Sequence, residues 1–396
     1  MNKKLWEEKK TSLGNAIIIG TVLAIIGGVI GANWNNIFSG FAPYLGFSNN
    51  VSNADWSSLN EVYNKLASSY NGEIDEKVVV EGAKKGLVEA LGDVYTVYMT
   101  PEDSSDFYND LHGNVGSGIG VEMGLRDGYV RVLRTLPDNP ARKAGILAGD
   151  ILYKVDGEEV WSLSADEISK RVRGETGTEV EITVVRDGKE KTFKMTRETI
   201  NNVSAYVDYD GKTAIITVTR FDNDTGTKVQ AFAQEFASKG INKVILDLRN
   251  NGGGYVSAAQ DLLSLWLDNQ KVLEQKSKHY GNTTSNTSAG RAILKDIKTI
   301  VLVNGSTASA SEIVAGALQD YGKATILGEK TYGKGVVQNL FDLSGGSTLK
   351  VTTAEWYTPN DRSINKEGIT PDVVVERSYE DINAMRDPQL DKAKGL

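Results

Sequence analysis

The stretch TIVLVNGSTASASEIVAGALQDYG, Thr299 to Gly322, reads as strand, turn and helix in immediate succession. Apolar and β-branched residues run to Val303, Asn304 and Gly305 break the run, and small residues and serines follow before the apolar spacing turns helical. KVILDLRNNGGGYVSAAQDLLSLWL, Lys243 to Leu267, has the same order, with a glycine turn in place of the serine turn. Upstream, TAIITVTRF (Thr213–Phe221) precedes the helical pattern TKVQAFAQEFASKG (Thr227–Gly240). Strands alternating with helices in this way predict an α/β layer with a largely parallel sheet. In such sheets the active site lies beyond the carboxyl ends of the strands. NNGGG, Asn250–Gly254, and STASAS, Ser306–Ser311, both fall there.

Working outward, Gly113 to about Arg197 changes to short β-like runs such as GIGVEM, YVRVLR and EVEITVVRDGKEKTFKMTR, some joined by Asp-Gly turns. SADEISKRVRG reads as a helix among them. From Asp55 to about Leu111 the pattern is helical, and LNEVYNKLASSY puts Leu59, Val62, Leu66 and Tyr70 on one face. Asn33 to Asn53 carries no charge and reads as a tether. Ala16 to Ala32, AIIIGTVLAIIGGVIGA, is apolar apart from one threonine. With Leu13 and Gly14 it approaches the roughly 20 residues that span a bilayer. Lys3, Lys4, Lys9 and Lys10 precede it, and no Lys or Arg follows until Lys65. That asymmetry predicts a single-pass anchor in the cell membrane, its N-terminus cytoplasmic and the remainder extracytoplasmic. Secretion after signal cleavage is the alternative, against which Ile30 and Pro43 spoil the nearest cleavage sites.

The chain has 396 residues, enough for more than one domain. A net charge of −8 argues against nucleic acid as a partner. With no cysteine there is no thiol nucleophile, no thiolate metal site and no disulfide. The two histidines, His112 and His279, both lie far from the serine stretch in sequence. Ser309 with Glu312 has the spacing of a helix capping box, and Ser311 also suits a cap. A chemical role for one of these serines requires a base. GEKTYGKGVVQ, Gly328–Gln338, supplies Lys334 between two glycines, which let a backbone pass close to its neighbours. A buried lysine loses its charge more readily and can then take a hydroxyl proton. A Ser–Lys dyad thus replaces the missing histidine. The Ala310 N–H, opening a helix, and the turn DLRNNGGGY, Asp247–Tyr255, are the candidate oxyanion donors. That turn lacks the G-K-[ST] of a nucleotide loop.

Taken together, LVEALGDVYTVYMTPED, GSGIGVEM, PARKAGILAGDILYKVDGEEV, VILDLRNNGGGYVSAAQDLL, VLVNGSTASASEIVAGALQDYG and LKVTTAEWYTPNDRSINKEGITPDVVVE resemble the carboxyl-terminal processing peptidases, or tail-specific proteases. The resemblance covers roughly Asp55 to Glu376. Beyond the cytoplasmic segment 1–12, transmembrane anchor 13–33 and linker 34–54 read from the sequence, it implies an α/β multidomain chain that begins with a helical N-terminal region 55–112. A PDZ domain (a partly open β-barrel with helices) over 113–197 follows, then a crotonase-like serine protease core over 198–378 and a tail element over 379–396. It implies Ser309 as nucleophile, Lys334 as general base, Gln338 orienting the lysine, and Gly253 and Ala310 as oxyanion donors. The PDZ loop GSGIG, through Gly118, Ile119 and Gly120, would bind a substrate's C-terminal tail by β-addition, with Arg173 contacting that tail or relaying its presence. Substrates would be unfolded or membrane-associated proteins, cleaved without metal or cofactor by a homodimer. Val94, Gly252 and Asp361 replace the family's usual proline, proline and glycine. A PDZ scaffold with a silent protease core is the alternative reading.

Overall fold

The computed structural model describes residues 55–396 except Asn114, Val115, Asp127, Asn201 and Met385. The expected cytoplasmic segment, membrane anchor and linker lie outside the described residues. Among the described residues no helix is long and apolar enough to cross a membrane. The described residues fall into two units, divided between Glu76 and Lys77. In the first, the helix Ser57–Ser69 has no buried residue, and Leu59, Val62 and Leu66 are all exposed.

The second unit is built around a six-stranded sheet. Its strands run in the order Ala205–Asp210, Thr213–Val218, Lys243–Asp247, Lys298–Val303, Thr325–Gly328 and Val373–Val374. Only the pairing of the first two is antiparallel; the others are parallel, as the alternating pattern predicts. Successive side chains on a strand point to opposite faces, so each buried strand feeds two cores. Val244, Leu246, Val301 and Val303 pack under the helices Thr225–Gln234, Val256–Leu263 and Ala310–Asp320. Ile245, Ile300 and Leu302 face the other way, against Leu390 and Ala393 of the helix Pro388–Gly395. Trp266 closes the first core with its indole N–H donated to Thr299 Oγ1 at 2.9 Å, so a large buried ring leaves no orphaned donor.

Three further sheets accompany this core among the described residues. Gly118–Thr199 carries the antiparallel strands Val121–Arg126, Tyr129–Thr135, Ile151–Val155, Glu179–Arg186 and Lys189–Thr196. A separate two-stranded pairing joins Ser117–Gly118 to Glu198–Thr199. The helix Ala165–Val172 closes the domain through Ile168 and Val172, starting at a reciprocal cap between Ser164 and Glu167. The remaining sheet was not anticipated from sequence. In it Thr348–Tyr357 is the central strand, paired antiparallel with Val97–Met99, Lys271–Ser277 and Val336–Asp342. Asp361, where the resemblance expects glycine, adopts φ 61°, a left-handed conformation that Asp tolerates better than most residues.

Candidate active site

Both singled-out turns lie at the carboxyl ends of adjacent parallel strands and are stitched to each other. The Asn250 N–H donates to Asn304 Oδ1 at 3.0 Å, and Asn304 Nδ2 returns a bond to Asn250 Oδ1 at 2.9 Å. Thr307 Oγ1 donates to the Leu248 carbonyl at 3.0 Å, and the Ala308 N–H to the Asn251 carbonyl at 3.0 Å. These bonds satisfy the polar groups of two buried loops and fix their relative position.

The serines separate cleanly in this frame. Ser311 is fully buried, and its hydroxyl donates to the Asn251 carbonyl at 3.0 Å, a packing role. Ser309 is half-buried and lines a cavity of about 440 Å³. Its backbone sits at φ 56° and ψ −119°, a sparsely populated region for a residue with a Cβ. Strain of this kind persists only where the surroundings over-determine it. Glu312 supplies much of that constraint. Its carboxylate is wholly buried and accepts four hydrogen bonds: Ser309 N–H at 2.8 Å, Thr331 Oγ1–H at 2.6 Å, Gly333 N–H at 2.7 Å and Lys334 N–H at 3.0 Å. The spacing from Ser309 does act as a helix cap. The same carboxylate also ties the serine turn to the lysine loop. Burial pushes its pKa up, and the hydrogen bonds it accepts pull the other way.

Lys334 lines the same cavity as Ser309. The flanking glycines are required by close backbone approach: a Cβ on Gly335 would lie 2.5 Å from the Asn365 nitrogen, and one on Gly333, at φ 88°, 2.9 Å from the Gly368 nitrogen. Fully buried Trp356 donates its indole N–H to the Lys334 carbonyl at 3.0 Å. The Lys334 ammonium lies 5.4 Å from the centre of the Tyr95 ring. Burial lowers its pKa, the nearby charge of Lys350 lowers it further, and Glu312 opposes both. Gln338 lines the cavity too, and its amide N–H donates to the Tyr95 carbonyl at 2.9 Å.

Gly253 comes up against the serine turn. At φ 107°, a Cβ there would lie 2.8 Å from Ser309 Cβ and 3.0 Å from the Ala310 nitrogen. Ala310 is the first residue of the helix Ala310–Asp320, where backbone N–H groups lack intrahelical partners. The Gly253 N–H donates to Asn251 Oδ1 at 2.9 Å, so a substrate oxygen must displace that side chain to use it.

Gly118, Ile119, Gly120 and Arg173 line a second cavity, of about 400 Å³. Gly120, at φ 75°, leaves no room for a Cβ, which would lie 2.2 Å from Asn139 Cβ. Arg173 is exposed at the end of its helix, and its charge draws down the pKa of Asp110, which burial raises. Asp110, Thr219, Arg220 and Gly252 line both cavities, so the two abut. Sequence reasoning did not single out Asn251, Lys350, Tyr95 or Arg220. The Asn-Asn pair before the glycines was a usable signal for side-chain-to-backbone turn bonding. Among the described residues no cluster of acidic or histidine side chains would hold a metal ion.

Comparison with known proteins gives three family matches. Residues 212–375 match peptidase family S41, residues 117–196 match a PDZ domain, and residues 46–103 match the N-terminal domain of the activating protease CtpB. A "Probable CtpA-like serine protease" of Staphylococcus aureus (strain MSSA476) is 35% identical over 376 residues, 93% of this chain and 74% of that protein. Its counterpart in Staphylococcus epidermidis is 34% identical over 86% of this chain and 69% of that protein. The solved photosystem II D1 C-terminal processing protease is 29% identical and superposes with a TM-score of 0.57, covering 84% of this chain and 90% of that one.

Proposed function

The chain belongs to the CtpA-like serine proteases of peptidase family S41, and on that premise we propose that Ser309 and Lys334 form its catalytic dyad. The observation that carries the proposal is the buried Glu312 carboxylate, which takes the Ser309 and Lys334 N–H groups together at the wall of one cavity. In the reaction, neutral Lys334 accepts the Ser309 hydroxyl proton as Oγ attacks a peptide carbonyl. The oxyanion is received by the Ala310 N–H and, once Asn251 gives way, by the Gly253 N–H. Lys334 then returns the proton to the leaving amine, and water hydrolyses the acyl-enzyme. Gln338 orients Lys334 by accepting an Nζ–H on its amide oxygen while its amide N–H holds the Tyr95 carbonyl. The test is fragment mapping by mass spectrometry on an unfolded protein substrate. Cleavage is expected to vanish in Ser309→Ala and Lys334→Ala and to persist in Ser311→Ala. Persistence in Ser309→Ala would sink the dyad, and peptide binding without turnover in the wild type would favour the scaffold reading.

The PDZ domain is proposed to bind C-terminal tails through Gly118, Ile119 and Gly120, with Arg173 sensing the occupied groove. The abutting cavities support this reading, as does a resting site in which the Gly253 N–H is engaged by Asn251. Addition of a tail peptide should then stimulate cleavage, and Arg173→Ala should blunt the stimulation. Residues 13–33 are proposed to anchor the enzyme with its catalytic part outside the cytoplasm; resistance of the full chain to alkaline extraction from membranes tests this. A homodimer through the exposed Leu59, Val62 and Leu66 face is proposed, and sedimentation of Leu59→Glu tests it.

A further inference from the structure

The catalytic cavity contains a second lysine that the dyad does not use. Lys350 lies on the strand Thr348–Tyr357, its backbone held on both sides by register with Val97 and with Leu340. Alternate residues of a strand share a face. Lys350 therefore shares one with Thr352, and beyond the register shift opposite Val337 and Gln338 the same strand carries Trp356, whose indole N–H holds the Lys334 carbonyl. The same rigid strand thus fixes the Lys334 backbone and brings a second ammonium to the cavity that Lys334 and Ser309 line. The Lys350 ammonium rests 5.3 Å from the centre of the Phe107 ring, a contact that favours its charged form. Among the described residues it has no carboxylate partner, and burial lowers its pKa.

The other charges at this cavity do not replace it. Arg220 is paired with Asp222 at 2.7 Å. Asp110 lies on the helix Pro101–Leu111, where Arg173 is the cation acting on it. Glu312 sits behind the lysine loop and favours a protonated Lys334. The Tyr95 ring does the same from the side. A base at this position thus has a carboxylate and an aromatic face working against its neutral form, and Lys350 is the unpaired cation that counters them.

We propose that Lys350 is a positioning residue for the cleavage reaction: its unpaired ammonium, fixed on the wall of the cavity shared with Lys334, keeps Lys334 in the uncharged form that accepts the serine proton. The proposal rests on the reading of Lys334 as the base. A cation beside a lysine makes protonation of that lysine harder, and Lys334 feels both burial and this charge.

The experiment is the pH dependence of kcat/KM on an unfolded protein substrate for the full-length wild type, Lys350→Gln, Lys350→Arg and Lys350→Glu, with Lys334→Ala and Ser309→Ala alongside. Circular dichroism of each variant establishes that it is folded. Lys350→Gln should move the acid limb alkaline, read as a roughly threefold to tenfold loss of kcat/KM on that limb that is recovered at higher pH. Lys350→Arg, keeping the charge, should hold the wild-type limb, and Lys350→Glu should move it further than Lys350→Gln. An unmoved limb in folded Lys350→Gln, with Lys334→Ala inactive, overturns the proposal and leaves the dyad standing. A pH-independent rise in KM alone also overturns it, making Lys350 a substrate contact. Full activity of Lys334→Ala defeats the dyad reading and this proposal with it.

Discussion

Replacing Glu312 by glutamine changes one atom of a side chain that accepts four hydrogen bonds, two on each carboxylate oxygen. An amide offers one acceptor. Its best orientation keeps the oxygen on the Ser309 and Lys334 N–H groups and turns the nitrogen toward Thr331 and Gly333. The Thr331 hydroxyl can reverse and accept, although its oxygen already receives the Ile369 N–H at 2.7 Å. The Gly333 N–H cannot reverse and is orphaned in a buried site. An orphaned buried donor costs about 1–3 kcal/mol, and loss of the charge from the bonds that remain adds about 1, giving roughly 2–4 kcal/mol in total. Activity should fall more than stability. The carboxylate sets the Ser309 turn against the Lys334 loop, and a misplacement of about 1 Å can cost about a hundredfold. Urea unfolding midpoints and kcat/KM, measured where the variant is still folded, give the two numbers. A variant within about 0.5 kcal/mol and threefold of wild type would refute the bridging role assigned to this carboxylate.

Four further outcomes follow from the same contacts. Gly253→Ala, forcing a Cβ to 2.8 Å from Ser309 Cβ at φ 107°, should lower kcat at least about a hundredfold with a smaller change in KM, read by steady-state kinetics. Ser311→Ala should lose about 1 kcal/mol of stability in urea unfolding, from one hydrogen bond to the Asn251 carbonyl, and stay active. Trp356→Phe frees the Lys334 carbonyl and should cost about 1–3 kcal/mol in urea unfolding, with a drop in kcat. Lys334→Met should be inactive yet more stable. The folded pKa of Lys334 lies below the ordinary lysine value, so the unfolded chain holds that proton more tightly. The penalty is complete below the folded pKa and gone above the unfolded value of about 10.4, so the gain in thermal midpoint should be largest at neutral pH and shrink toward pH 10.

The parallel core was legible because its strands are buried on both faces and read as continuous apolar runs, each followed by a turn and a helical stripe. Ser309 was legible through its place at a strand end, and Lys334 through the glycines around it. The antiparallel sheet was not, since Lys271–Ser277 and Asn282–Thr287 are largely polar and partly exposed and carry no apolar alternation. Glu312 showed only its local role. The S-x-x-E spacing reports the cap, whereas the bonds from Thr331, Gly333 and Lys334 come from residues brought near by the fold. Lys350 was hidden for the same reason: on a strand, a solvated lysine and one aimed into a cavity look alike.

The way the Lys334 loop is held has a consequence for timing. Its flanking glycines press against Asn365 and Gly368, and Trp356 secures its carbonyl, so residues 356–368 must be in place before the lysine is. A growing chain has made Ser309 long before then, without the means to use it. Because residues 356–368 hold the Lys334 loop, a chain that ended before them would carry Ser309 and Lys334 without the contacts that place the lysine.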